Sequence, residues 1–438
     1  MSTMQSRRFY LKSIFTGLGA SSCLAGCSSL RENNRTSTST EKRQTQPTSL
    51  DILHSWSTSL EKDAAHALFD GFQQRHPDLK VDDLTIGGRV GGDLQTTVKK
   101  RIIEEKSPSS WQTWGGENLQ TYGDAGALTE IRDDFWSGKT GWESFSPIVR
   151  RLSKVNRSYV AIPFNIHRLN DLFYNINILE DVGIDPESID DPQSLLDAVK
   201  IVKEDSEADG VVHATNTFWS TLELWESMLL GEFGFQTHRS IVDGNVRSNE
   251  DAIRSSLESV KQYCNQSPET VISPSRDQTV KRFQNGNSAF FYQGDWVAKE
   301  LMTDDEFRYG TDWGHMAFPG TEDDFLLSLT LFPFPENSPS HESTAKFLRY
   351  IGSRNTQKRF TLSRGAIPAR NDVSQEAFGP FFRQQIARFR GPETNVPSMS
   401  HGLVIAPEAW TKLTGAMKSF TSTWDVDRTT QHLMGMFE

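Results

Sequence analysis

Residues 49–56 alternate apolar and polar side chains, a period that predicts a strand. Ser59 then caps a predicted helix in which Ala65, Leu68, Phe69 and Phe72 form one stripe, and His76-Pro77 ends it. A second strand follows over Val81–Ile86, then the turn Gly87–Gly92, then a helix capped by Asp93 with Leu94, Val98 and Ile102 inward. Strands are further predicted over 159–165, 172–175 and 288–292, the last ending in Gly294-Asp295-Trp296, and a short extended stretch over 313–319. Helical spacing marks 193–203, 218–230, 249–264, 277–285, 342–363 and 407–420. Strands alternating with helices predict an α/β fold, and no internal repeat appears.

The first 26 residues break this pattern. Arg7, Arg8 and Lys12 precede an apolar stretch, dotted with Gly and Ser, from Ser13 to Gly26, which is too short to span a bilayer. Ser6-Arg7-Arg8-Phe9-Tyr10-Leu11-Lys12 is similar to a twin-arginine export signal. Leu24-Ala25-Gly26-Cys27 resembles a lipobox, whose cysteine takes the lipid. The expectation is a signal peptide over 1–26, lipidation at Cys27 and a polar tether over 27–49, with the chain held at the outer face of the membrane, extracellular or periplasmic.

Composition narrows what the body can do. The 438 residues are 36% hydrophobic, enough for about two domains, and no apolar run of 18 or more follows the signal. The formal charge of −11 drops by three, to −14, once Arg7, Arg8 and Lys12 leave. That balance argues against nucleic acid as a partner. With Cys23 in the signal and Cys27 acylated, Cys264 alone remains, on the apolar stripe of Ile253, Leu257 and Val260, as a core thiol. Six tryptophans stand in polar, Gly-containing stretches: Trp56, Trp111, Trp114, Trp219, Trp296 and Trp313. A flat indole on a loop suits the C–H face of a sugar. The glycine-rich turn 87–92 lacks the Lys-Ser/Thr of a phosphate loop and the spacing of a dinucleotide fingerprint, so it is a plain loop or the rim of a cleft.

Several blocks carry a resemblance in their joint order: Ser55-Trp56 with Glu61, Phe69 to Pro77, Gln112-Thr-Trp114-Gly-Gly116, Asn165-Ile-His167-Arg168, Leu172–Asn175, Gly294-Asp295-Trp296, Phe318–Thr321 and Gly365–Arg370. Over residues 50–372 the chain resembles the extracellular solute-binding proteins of ABC importers, and within them the glucose/mannose-type sugar binders. The resemblance implies two α/β lobes, 51–163 plus 316–370 and 164–315 plus 371–438, hinged around a ligand cleft. It implies a monomer that binds a mono- or small oligosaccharide and meets permease subunits, with no catalysis, cofactor or metal. The implied ligand contacts are Trp56, Glu61, Gln112, Trp114, Asn118, Asn165, His167, Trp219, Asp295 and Trp296. From its local sequence alone Glu61 reads as a helix cap, and the resemblance makes it a ligand contact. Of Trp219 and Trp225, which lie near one helix face, Trp219 is the platform and Trp225 core.

The chain also departs from the sugar binders: Ser57 follows Trp56 where they often carry a second Trp, Trp114 replaces a His, Asn118 an Asp, and Ser328–Phe334 lacks an acid. These changes point toward a different or less polar solute. The rival readings are a surface hydrolase, for which no Gly-x-Ser-x-Gly elbow or metal-spaced His pair is found, a scaffold lipoprotein, and a binder of a non-sugar solute.

Overall fold

The computed structural model describes residues 48–87, 92–136, 141–267 and 274–438. The signal peptide, Cys27, most of the tether and Gly88–Gly91 of the glycine-rich turn lie outside them.

Three sheets organise the chain. A parallel sheet places Thr48–His54 between Leu79–Thr85 and Ser110–Trp111. A mixed sheet runs in the order Trp313–Ala317, Asp171–Asn175, Ser288–Gln293, Asp209–Val212. Between them a third sheet runs in the order Ile367–Pro368, Ala161–Arg168, Asp324–Pro333, Thr394–Pro397, with Thr113–Trp114 added against the long strand. Ala161–Arg168 and Asp324–Pro333 are buried along their whole length, as strands covered on both faces must be. The result is two α/β lobes joined by crossing strands.

Local chemistry explains the helices that frame the cleft. Ser59–Arg75 starts at Thr58, whose hydroxyl accepts from the Glu61 N–H while Glu61 accepts from the Thr58 N–H, a reciprocal capping box. The cap is therefore one residue before the expected Ser59. Ala64, Ala65, Leu68, Phe69 and Phe72 form its buried stripe, against Phe347 in particular. The helix expected over 218–230 runs on as Phe218–Val242, passing a break at Gly234, whose φ of 74° suits glycine. The single helix expected over 342–363 is two, His341–Ile351 and Arg354–Arg364. Ser353 caps the second, and Gly352 sits where a Cβ would lie 2.2 Å from Trp136. Among the helices outside the predicted ones are Glu117–Asp124, Pro380–Arg390 and Val426–Met434.

The second lobe packs Leu196, Val199, Val211, Leu224, Trp225, Phe290, Leu413 and Phe420 into one core. Trp225 donates to Ser256 Oγ at 3.0 Å inside it, and Cys264 is buried at its edge. Trp111 and Trp313, expected on loops, are core residues instead, 1% and 0% exposed.

Candidate ligand cleft

A cavity of about 540 Å³ opens between the lobes. The pleat of the crossing strands delivers its polar wall. Asn165 and His167 alternate along one strand, Ser328 and Thr330 along its antiparallel neighbour, and the register pairs Thr330 with Asn165 and Ser328 with His167. All four line the cavity, while Phe164, Ile166, Leu329 and Leu331 on the opposite face enter the core. A bulge at Thr330/Leu331 interrupts the register beside the site.

Aromatic faces close it. Trp114 meets Trp219 edge-on at 5.7 Å and His401 at 4.7 Å. Trp296 stands against His167 at 5.4 Å and donates its N–H to Gln293 Oε1 at 3.1 Å. Gln293 in turn donates to Ser220 Oγ at 3.1 Å. Trp114, Trp219 and Trp296 therefore present indole surface from three separate elements, the strand Thr113–Trp114, the helix from Phe218 and the start of the helix Trp296–Leu301.

Charge is held in pairs. Arg364 Nη2 donates to Glu61 Oε1 at 2.7 Å, and Glu61 Oε2 accepts from the N–H of Ser57 and Thr58. Burial alone would raise the Glu61 carboxyl, but Arg364, Arg276 and those two N–H groups hold it at about 2. Arg276 pairs with Glu300 at 2.9 Å. His167 Nδ1 lies 2.6 Å from Asp295 Oδ1. Burial pushes the Asp295 carboxyl well above its usual range and holds the His167 imidazole well below, so the pair meets the cleft without net charge. Among the described residues, several buried polar atoms of the cavity wall have no hydrogen-bond partner: Asn165 Oδ1, Arg276 Nε and Arg364 Nε. A bound solute with hydroxyl groups would satisfy such atoms. Among the described residues no cluster of His, Cys, Asp and Glu has the arrangement of a metal site.

Residues 67–386 match the sequence profile of the bacterial extracellular solute-binding proteins. The chain belongs to that family. Among its relatives, the xylose/arabinose-binding protein XacG of Haloferax volcanii is 28% identical over 392 residues, covering 88% of this chain and 83% of that protein. An uncharacterised ABC-transporter extracellular-binding protein of Pyrococcus horikoshii is 26% identical over 411 residues, covering 92% and 90%. In fold the solute-binding protein is similar to a chitin oligosaccharide binding protein (TM-score 0.75, 15% identity, 89% and 98% covered) and to the solute receptor AcbH (TM-score 0.73, 15% identity, 89% and 97% covered), described as preferring β-D-galactopyranose. Among the described residues no helix is long and apolar enough to cross a membrane.

Of the ten expected contacts in this solute-binding protein, eight line the cavity: Trp56, Glu61, Gln112, Trp114, Asn165, His167, Trp219 and Trp296. Trp56 does so with little free surface, at 4% exposure and packed against Phe164, Phe332 and Phe360. Gln112 Oε1 accepts from the N–H and hydroxyl of Ser55 at 2.9 and 3.1 Å, which leaves its Nε2 donors for the cavity. Glu61 is both cap and cleft residue. The other two do not line it. Asn118 spends its Nδ2 on the carbonyls of Gly115, His401 and Gly402, and Asp295 is fully buried behind His167.

Sequence reading missed Glu223, Gln293, His401, Arg276, Arg364, Ser328 and Thr330, all on the wall. Glu223 had a local signal, one helical turn after Trp219, and Gln293 directly precedes Gly294-Asp295-Trp296. His401 and the two arginines carry none, because only tertiary packing brings them in.

Proposed function

We propose that this protein captures a mono- or small oligosaccharide outside the membrane and delivers it, unchanged, to the permease of an ABC importer. The observation that carries this reading is the convergence of Trp114, Trp219 and Trp296 with neutral hydrogen-bonding groups around one cavity. Sugars present C–H faces and hydroxyls that both donate and accept, and this wall offers indole faces, amides, hydroxyls and neutral imidazoles. Its volume of about 540 Å³ falls within the roughly 300–1,000 Å³ usual for small-molecule sites. The sugar-binding relatives support the same class.

The lobes in this reading are 51–163 plus 316–370 and 164–315 plus 371–438, and they close around the sugar by bending at the crossing strands. The protein acts as a monomer, tethered by lipid at Cys27 and the polar segment 27–49. Glu61, Gln112, Trp114, Asn165, His167, Trp219 and Trp296 contact the ligand, Trp56 backs it, and Asn118 and Asp295 hold neighbours in place.

Thermal-shift and calorimetric screens over pentoses, hexoses and their small oligomers test the reading. A stabilising shift with at least one of them, and recovery of that sugar unchanged after incubation, is the expected result. A shift confined to non-sugar solutes, or formation of a product, overturns it.

A further inference from the structure

Glu223 and His401 face each other at the cavity wall. The Glu223 carboxyl has no hydrogen-bond partner among the described residues, although the residue is only 6% exposed. Its ion-pair approach is to His401 Nε2, 3.7 Å from Oε1, beyond hydrogen-bond reach. A buried carboxyl left this way calls for a partner from outside the protein.

The hydrogen bonds behind His401 determine which ring nitrogen carries its proton. Glu226, fully buried on the same helix, accepts from the N–H of Met399 and of Ser400, from Ser398 Oγ at 2.7 Å and from His238. Burial would raise its carboxyl, but His238, Ser398 and the Ser400 N–H outweigh that and lower it. Glu226 is thus an ionised, acceptor-only group, and Ser398 gives it its hydroxyl proton. Ser400 Oγ lies 2.6 Å from Ser398 Oγ, so the Ser400 proton must fill that contact. His401 Nδ1, 3.2 Å from Ser400 Oγ, then meets only a lone pair and must itself be the donor. Burial, with His167 nearby and against the pull of Glu226, holds the His401 imidazole at about 4. The ring is neutral at pH 7, so its single N–H is on Nδ1 and Nε2 is a bare acceptor facing Glu223.

We propose that Glu223 and His401 form a hydroxyl-recognition subsite, in which one ligand hydroxyl donates its proton to His401 Nε2 and its oxygen accepts from the Glu223 carboxyl. This rests on the sugar-binding reading above and deepens it: the subsite takes a neutral group that donates and accepts at once, and rejects a ligand carboxylate. Glu223 suits the donor role. Burial, with Glu226 one turn away and against Arg276, pushes its carboxyl up to about 8, so it keeps its proton at pH 7. The charged and titratable groups around the pair are Glu226 on the same helix, Arg276, Tyr292 and His167. As pH rises through about 8 the carboxyl loses its O–H, two acceptors compete for one hydroxyl proton, and affinity falls.

Two measurements test this. Long-range 1H–15N NMR on histidine-labelled protein reads the tautomer without ligand, with His401→Gln identifying the cross-peaks. The Nδ1–H form is expected at pH 7, and a dominant Nε2–H form overturns the subsite. Calorimetry with D-xylose, L-arabinose and D-galactose reads its use. For a sugar that binds the parent, His401→Gln is expected to weaken binding at least tenfold. The parent is expected to lose at least fivefold in affinity from pH 7 to 9, a loss absent in Glu223→Gln. Equal affinity of parent and His401→Gln overturns the subsite and leaves the sugar reading standing. If none of the three sugars binds the parent, that counts against the sugar reading, and the tautomer alone decides the subsite.

Discussion

Arg364 donates to Glu61 at 2.7 Å across 303 positions of chain. The bond fastens the end of the helix Arg354–Arg364 to the first turn of Ser59–Arg75 at the edge of the cleft. Both side chains are mostly buried, at 9% and 13% exposure, so losing one partner strands the other. Arg364→Met is expected to destabilise the fold by about 3 kcal/mol, as when one partner of a buried pair is removed. The Glu61 carboxyl is depressed to about 2 from an ordinary 4.5. Its contribution to stability is therefore complete above pH 4.5 and lost as pH falls toward 2. Urea unfolding at pH 7 and pH 3 checks both points: the gap between parent and Arg364→Met should narrow at pH 3, and a constant gap contradicts the assignment.

Trp114 and Trp219 supply two of the indole faces of the cavity and meet edge-on at 5.7 Å. Replacing either with Ala is expected to weaken binding of the sugar found in the screen by about 2 kcal/mol, roughly 30-fold, as for buried aromatic anchors. Titration calorimetry on both variants measures it. If both bind like the parent, the indoles are packing residues only.

Asn118 holds three carbonyls with one nitrogen and so joins the 115–118 segment to the loop that carries His401. Asn118→Ala is expected to cost about 1–3 kcal/mol through the lost amide. Asn118→Asp should cost more, because it turns a carboxylate toward those carbonyls. Gly116→Ala should be the most damaging of the three. Gly116 has a φ of 67° and a Cβ there would lie 1.9 Å from the Leu403 carbonyl oxygen. Thermal unfolding of the three variants gives the ranking, and Gly116→Ala melting like the parent would refute the close approach.

Cys27→Ser is expected to release the protein from membranes with its sugar affinity intact, since the lipid is the only anchor proposed. Membrane fractionation of cells expressing the variant decides it. Retention in the membrane pellet rules out the lipid assignment and leaves the cleft untouched.

Much of the frame was legible in order. Apolar–polar alternation located Thr48–His54, a continuous apolar run located the buried strand Ser288–Gln293, and helical stripes located Ser59–Arg75 and Glu250–Cys264, because an element writes its burial into its own sequence. The helix break at Gly352-Ser353 and the long run to Val242 were not legible, since helical spacing continues on both sides of a cap or kink. Glu61, Gln112 and Trp114 could be singled out because each stands in a short block with a recognisable neighbour. Trp111 and Trp313 show the limit: a polar neighbourhood in sequence says nothing of what packs over the ring.

The sequence by itself determined the α/β alternation, the resemblance to two-lobed solute binders and the export and lipidation motifs. Tertiary structure alone decided which polar groups share the cleft. Asn165 and Ser328 belong to strands far apart in the chain, and their common face depends on a pairing register that no local pattern encodes. Arg364 reaches Glu61, and His401 reaches Glu223, only after the crossing strands and the loop at 398–403 have been packed. The protonation of Glu223 and Asp295 was likewise out of reach, because it follows from burial, and burial belongs to the folded chain rather than to any residue in it.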